Sequence, residues 1–198
     1  NAALAFGGST KLQAGDGVAG DQFGGSVAIS GTTVIVGANG GAATASGAGA
    51  AYVYVLSGGA WTLQQKLTAN DGEADDAFGS YVAISGDTAV VGAFGDRVGT
   101  NVNQGSAYVF FRTGTTWALQ QKLTVADGAT NDYFGRAVAI AGDTIVVGSS
   151  SADTLTNIDQ GAAYVFLRTG TTWAQQAKLL AADGASTPPT TLDPPPYG

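Results

Sequence analysis

The chain has 198 residues with 8 basic and 15 acidic side chains, which gives a formal net charge of -7. A field of that sign repels nucleic acid and anionic lipid, and no apolar run approaches the roughly 20 residues that span a bilayer, so we expect neither a nucleic-acid partner nor membrane insertion. The absence of Cys excludes disulfides, thiol catalysis and thiolate metal sites, and the 31 glycines are typical of an all-β chain with many tight turns.

The first 15 residues, NAALAFGGSTKLQAG, are predicted to be the last strand of an incomplete unit. Lys11 stands five residues before Asp16, and the same spacing recurs later in the chain. The recurring pairs are Lys66 and Asp71, Lys122 and Asp127, and Lys178 and Asp183. The chain begins without an initiator Met, and we expect it to be a processed mature chain or a piece of a longer one.

Three tandem units of about 56 residues follow, at residues 16–70, 71–126 and 127–184. Each has four short runs rich in Val, Ile, Tyr, Phe, Trp and Thr, separated by Gly, Asp, Asn and Ser, which predicts a four-stranded antiparallel sheet. Some runs, such as residues 34–36 and 108–111, are apolar at successive positions, which indicates cover on both faces. The units should therefore stack face to face as propeller blades or a related β-stack.

The last segment, residues 185–198, contains all five prolines. Proline favours extended backbone and removes a donor, so we predict a spacer or docking strand. Hydroxyl side chains lie among these prolines, a composition typical of O-glycosylated stalks, and a bare flexible linker is the alternative. The candidate glycosylation sites are Ser186, Thr187, Thr190 and Thr191.

Two short motifs recur in register. Phe-Gly begins at Phe23, Phe78 and Phe134, and Val-Gly begins at Val36, Val91 and Val147. With these motifs, residues 11–184 resemble FG-GAP repeats, the blade motif of integrin α-subunit propellers and of many bacterial surface proteins. The resemblance implies a four-stranded blade and an extracellular or cell-surface location, here of the bacterial or archaeal surface-protein type. It implies no particular chemistry.

The sequence departs from that family in two ways. Integrin-type blades often carry a calcium loop between the first two strands, where this chain has only Ser-Gly-Thr, Ser-Gly-Asp and Ala-Gly-Asp. Such propellers usually close with about seven blades, whereas three blades cannot close a ring. We therefore expect an apolar face at each end of the stack and end-to-end association into a ring or filament, with the first strand and the tail crossing the junction. The alternative is a segment of a longer propeller.

Two acidic residues five apart precede each Phe-Gly motif. They are Asp16 and Asp21, Asp71 and Asp76, and Asp127 and Asp132. Oxygen ligands of this kind suit Ca²⁺, but two carboxylates per loop are too few for a dedicated site. An Asx-turn made by the first Asp and a strand cap made by the second is the favoured interpretation, and no cofactor is predicted.

The loops at residues 93–105 and 149–161 hold further polar candidates, for a cation or for sugar hydroxyls. These candidates are Asp96, Asn101, Asn103, Asp153, Asn157 and Asp159. The corresponding loop of the first unit is almost all Gly and Ala, so a ligand shared by all units is not expected. Turn formation on a solvated loop is the structural alternative.

Trp and Gln also recur. Trp61, Trp117 and Trp173 open a strand in each unit, a position that favours packing over stacking on sugars. The pairs Gln64-Gln65, Gln120-Gln121 and Gln175-Gln176 should put one amide on each face of a strand, where it bonds the adjacent unit.

No residue is predicted to be catalytic, because a catalytic site needs a locally unique set of groups and the carboxylates here are periodic. The sequence predicts a non-catalytic, extracellular structural or adhesive protein that associates with itself. The rival interpretation is a propeller that binds a glycan or a protein through residues 93–105 and 149–161.

Overall fold

The computed structural model describes residues 11–40, 47–153 and 158–181. These residues form β-strands and no helix. The first sheet contains β1 (Val27–Ser30), β2 (Thr33–Ala38), β3 (Ala50–Ser57) and β4 (Ala60–Leu67). The second contains β5 (Tyr81–Ser85), β6 (Thr88–Ala93), β7 (Ser106–Thr113) and β8 (Thr116–Leu123). The third contains β9 (Phe134–Ala141), β10 (Thr144–Ser149), β11 (Ala162–Thr169) and β12 (Thr172–Leu179).

Each sheet is an antiparallel meander whose strands lie side by side in chain order. The turn between the first two strands begins with a glycine at a left-handed φ of 56° or 57° in all three units, at Gly31, Gly86 and Gly142. Glycine adopts that conformation without strain, which explains the recurrent Gly in these turns. The predicted all-β fold of three four-stranded repeats is thus confirmed. The Pro-rich segment with its four glycosylation candidates lies outside the described residues.

Two apolar cores hold the three sheets together. The first core lies between the first and second sheets, and the other lies between the second and third. Strand β6 faces both cores, and all six of its residues are buried, because Val91 points into one core while Val90 points into the other. The continuous apolar runs of the sequence therefore arise from cover on both faces, as expected for stacked sheets.

The Phe-Gly and Val-Gly motifs meet at each junction between sheets. A Cβ built on Gly37 would lie 1.9 Å from the carbonyl oxygen of Gly79, and one built on Gly92 would lie 2.1 Å from that of Gly135. Real Cβ atoms never come so close to an oxygen, so only glycine permits this approach of two backbones. The motif glycines are therefore required by the spacing of the sheets.

The ring of the Phe-Gly motif packs within its own sheet. Phe78 lies edge to face on Tyr108 and Phe110, with ring centroids 5.3 and 6.1 Å apart. Phe134 has the same arrangement on Tyr164 and Phe166. The aromatic contacts fix the loop before the first strand, so that the backbone of the motif faces the preceding sheet.

Gly92→Ala is predicted to destabilise the protein by about 1–3 kcal/mol, because the added methyl forces the second and third sheets apart. Its counterpart at the open end of the stack, Gly148→Ala, is the matched control. There the new Cβ meets only the Ala137 Cβ at 3.1 Å, and the loss should be well below that of Gly92→Ala. Urea unfolding of both variants measures the difference, and equal losses would contradict this account of the motif.

Candidate functional site: the two open sheet faces

Among the described residues, each outer sheet has one face that no further sheet covers. We call the outward face of the first sheet the N-terminal face, defined by Phe23, Val27, Ile29, Tyr54 and Trp61. The outward face of the third sheet is the C-terminal face, defined by Ala139, Val146, Val165 and Leu179. Both carry the apolar residues that are buried at the same repeat positions inside the stack.

Equivalent side chains differ strongly in their exposed fraction between the open faces and the internal junctions. Val27 and Ile29 are 65% and 64% exposed, whereas Val82 and Ile84, their counterparts in the second sheet, are 7% and 8% exposed. At the other end, Leu179 is 52% exposed and its counterpart Leu123 is 1% exposed. Exposed apolar surface at positions that are otherwise buried makes the two faces the candidate functional site.

The segment before the first sheet covers part of the N-terminal face. Leu12 and Ala14 pack against its core, as Leu67 and Ala69 pack against the second sheet, and the Tyr54 hydroxyl donates to the Gln13 carbonyl at 2.8 Å. Residues 11–14 belong to none of the three sheets. They occupy the position of a preceding fourth strand and leave Val27 and Ile29 uncovered.

A Gln and Trp contact joins the outer strands at both internal junctions. The Gln65 amide donates to the Trp117 carbonyl and accepts from the Trp117 amide, each at 2.8 Å, while the indole of Trp117 donates to Gln64 at 2.8 Å. Gln121 and Gln120 bind Trp173 in the same way. Trp117 and Trp173 are buried, which confirms the predicted packing role of these two residues.

The two amides of each Gln pair reach the same Trp rather than opposite faces of the strand, because a register shift opposite Val53 and Tyr54 leaves Gln64 unpaired. In the third sheet the corresponding shift falls at Gln176. The counterpart of Gln65 and Gln121 is therefore Ala177. The prediction that Gln175-Gln176 is equivalent to the two earlier Gln pairs is wrong by one residue. The C-terminal face therefore lacks the amide that binds the backbone of the Trp in the following sheet.

An arginine provides a second contact across each internal junction. Arg112 pairs with Asp87 at 2.6 Å, donates to Thr33 of the first sheet at 3.0 Å and lies 5.0 Å from the ring of Trp117. Arg168 pairs with Asp143 and donates to Thr88 at 3.2 Å. The first sheet has Leu56 at this position. Each open face thus keeps the apolar surface of an internal junction and lacks one of its polar contacts. The N-terminal face lacks the arginine, and the C-terminal face lacks the glutamine.

The first Asp of each acidic pair forms an ion pair within its own unit. Asp16 lies 2.5 Å from Lys66, Asp71 lies 2.7 Å from Lys122, and Asp127 lies 2.8 Å from Lys178. Tyr52 and Tyr108 also donate to Asp16 and Asp71, at 2.9 and 2.8 Å. The hydrogen bonds from Lys66 and Tyr52 lower the pKa of Asp16.

The second Asp of each pair is buried and accepts a hydrogen bond from the backbone amide three residues earlier. The donors to Asp21, Asp76 and Asp132 are the amides of Val18, Glu73 and Ala129, at 2.7, 2.6 and 2.8 Å. Burial raises the pKa of Asp76 and of Asp132. The second Asp thus closes the loop through an amide on its N-terminal side, which is not the geometry of an Asx-turn, and the first Asp is held by its lysine.

Asp96 is specific to the second unit. It is buried, lies 2.6 Å from Lys122, and accepts from the hydroxyls of Ser106 and of Tyr108, the latter at 3.2 Å. Lys122 therefore bridges Asp71 and Asp96. Partial burial favours the neutral amine, but the hydrogen bonds that Lys122 donates to both carboxylates outweigh it and raise the pKa of Lys122. Asp96 is occupied by internal contacts and does not face solvent.

The other loop candidates also have partners within the chain. Asn101 donates to Gln104 at 2.9 Å and to the Gly128 carbonyl at 3.0 Å, and Asn103 donates to Asn131 at 2.9 Å. The bonds to Gly128 and Asn131 join the second unit to the third. In the third unit the backbone amide of Asp159 donates to Asp153 at 2.9 Å, and Asn157 lies outside the described residues.

The described parts of the chain contain no cluster of three or more His, Cys, Asp or Glu residues that could hold a metal ion. In the third unit, Ala152 occupies the position of Asp96, and the buried Tyr164 hydroxyl has no hydrogen-bond partner within those parts. The repeat thus keeps its apolar surfaces in all three units and varies its buried polar groups.

Three four-stranded sheets stacked face to face define a β-propeller-like repeat module. The profile of the FG-GAP repeat matches residues 6–54, 61–110 and 117–166, and the chain belongs to this family. FG-GAP repeats are typical of extracellular and surface proteins. No curated protein matches the sequence. Among the described residues no helix has the length and apolar character needed to cross a membrane.

Lys122→Met is predicted to destabilise the protein by about 3–5 kcal/mol, because it leaves the buried Asp96 charge without its cation. Lys66→Met is the matched control: Lys66 pairs only with the exposed Asp16, and its loss should cost about 1 kcal/mol or less. Chemical unfolding of both variants tests the difference. A small effect of Lys122→Met would contradict the importance of this buried bridge.

The pKa of Asp16 is predicted to rise toward its ordinary range in Lys66→Met. Since the pKa is lowered in the folded state, the stabilisation is present above the ordinary range of an aspartate and is lost as pH falls through the lower, folded-state value. A pH titration of the Asp16 carboxyl carbon by NMR measures the change. Lys178→Met, which removes the cation of another unit, should leave the Asp16 titration unaltered.

Proposed function

We propose that this chain is a non-catalytic structural or adhesive module that works outside the cell and associates end to end with further copies. The C-terminal face of one copy packs on the N-terminal face of the next. The contact is heterologous, so it produces a ring where the rotation closes and a filament where it does not.

The contrast in exposure between equivalent residues carries this proposal. Leu67 and Leu123 are buried against the following sheet, and Leu179 repeats them on an open face. Val82 and Ile84 are buried against the preceding sheet, and Val27 and Ile29 repeat them on the opposite open face. The two faces repeat the two sides of an internal junction, except that Leu12 and Ala14 already hold the place of Leu67 and Ala69 on the N-terminal face. Residues 11–14 therefore move aside for Leu179 of the second copy.

The polar groups support a non-catalytic role. The first Asp of each pair is held by a lysine, the second by a backbone amide, and Asp96 by Lys122. A group that is already ion-paired and repeats in every unit is a poor catalyst, because catalysis needs convergent groups in a pocket. The extracellular location rests on what is typical of FG-GAP repeats.

Face-specific substitutions test the proposal. Wild-type protein should associate with increasing concentration in sedimentation velocity, while Ile29→Asp and Leu179→Asp should each remain monomeric because a charge is placed in the apolar contact. Leu119→Asp is the control, since Leu119 is 36% exposed on the second sheet, which forms neither end face, and this variant should associate as the wild type does.

Mixing the two defective variants identifies the geometry of the contact. Ile29→Asp retains an intact C-terminal face and Leu179→Asp retains an intact N-terminal face, so an equimolar mixture should form dimers and nothing larger. Wild-type protein that stays monomeric at every concentration would contradict the proposal, and so would a mixture without dimers.

A further inference from the structure

An open groove of about 350 Å³ lies beside the C-terminal face. It is lined by Gly148, Ser149, Ser150, Gly161 and Ala162, by Arg136 and Ala137 of the adjacent strand, and by Tyr81 of the second sheet. Gly148 is the glycine of the third Val-Gly motif, and Gly161 precedes the third strand of its sheet. Both internal junctions have glycines at these two positions.

At the internal junctions the corresponding groove is filled by the backbone of a Phe-Gly motif. A Cβ on Gly37 or Gly49 would lie 1.9 Å from the carbonyl oxygens of Gly79 and Phe78 respectively. At the second junction the distances to Gly135 and Phe134 are 2.1 Å from Gly92 and 2.0 Å from Gly105. Phe78 and Phe134 also donate backbone hydrogen bonds into the preceding sheet's loop, at 3.0 and 2.8 Å.

The Phe-Gly motif of the N-terminal face has the same backbone conformation as the two internal motifs, but it does not lie in a groove of the described chain. Gln22 has a φ of 56°, as Ala77 and Tyr133 have 57° and 55°. Gly24 has a φ of 94°, and no atom of the described chain lies within 4 Å of a Cβ built on it. A left-handed φ is costly for a residue other than glycine, and it is retained here without the contact seen at the internal junctions.

The groove is preformed as well. Asp159 has a φ of 55°, close to the 54° of Asn103 at the same position of the second unit. The Asn103 carbonyl accepts from the Tyr133 amide at 3.0 Å, and the Gly47 carbonyl accepts from the Ala77 amide at 3.0 Å. The groove and the motif are thus two halves of one repeated contact, located at opposite ends of the chain.

We propose that the groove at Gly148 and Gly161 receives the Phe23-Gly24 backbone of a second copy. This inference rests on the proposed function and adds the register of the contact. The Gln22 amide of one copy donates to the Asp159 carbonyl of the other, and the Gly24 carbonyl lies over Gly148. Glycine at position 148 is therefore required for association, although the fold of a single copy does not need it.

The same register predicts that this junction is weaker than the internal ones. Trp61 would meet Ala177 in place of a glutamine, so its backbone amide and carbonyl lose the two bonds that Gln65 and Gln121 provide. Thr144, the counterpart of Thr33 and Thr88, would meet Leu56 in place of an arginine. Apolar contact and the Phe-Gly backbone hold the copies together.

Two substitutions in the full chain test the register. Gly148→Ala should weaken association by about tenfold or more, because its methyl occupies the place of the Gly24 carbonyl oxygen. Ala177→Gln should tighten association by about tenfold, because it restores the bonds to Trp61. Sedimentation of both variants measures the dissociation constants, with circular dichroism to confirm that each is folded.

The outcomes separate this inference from the function on which it rests. Wild-type affinity in Gly148→Ala together with monomeric Leu179→Asp would overturn the register and leave end-to-end association in place. Wild-type association in both Gly148→Ala and Leu179→Asp would overturn the end-to-end contact through these faces, and the register with it. Ala177→Gln with affinity equal to or below wild type would also count against the register.

Discussion

The close approach of two backbones at each Phe-Gly motif is the contact on which the rest of the structure depends. A carbonyl oxygen occupies the space that a side chain would need at Gly37 and again at Gly92. This contact sets the distance between the sheets, and apolar side chains fill the space between them. Phe78 and Phe134 bind the motif to their own sheet, so each repeat brings a rigid backbone ridge to its neighbour.

The charged residues stabilise the units and leave the faces apolar. Lys66, Lys122 and Lys178 each pair with the Asp that begins their unit, and Arg112 and Arg168 pair with the Asp of a turn. These pairs lie along the rims of the sheets. Both broad faces of the second sheet are buried in the two apolar cores.

Much of the fold was predictable because the repeat supplies its own alignment. Strand order and the two-sided cover of the sheets both follow from apolar runs at a constant period. The Gln register in the third unit was predictable from the spacing, because Gln120 and Gln121 follow Trp117 by three and four residues and the same positions after Trp173 hold Gln176 and Ala177. The bulge that places Gln64 and Gln120 beside Trp117 and Trp173 was not predictable, because it is a backbone feature without a sequence mark. The partner of Asp96 was hidden as well, since Lys122 is distant in sequence and only the folded sheet brings them together.

Strand β6 is buried at all six positions, whereas in β10 buried residues alternate with partly exposed ones. In a linear array of repeats each unit is stabilised by its neighbours, so the middle sheet has two supports and each outer sheet has one. Local opening should then begin at the outer sheets, and amide protons should exchange most slowly in β6. Joining copies end to end would give every sheet two neighbours, so assembly would protect the very strands that fray first in a single copy.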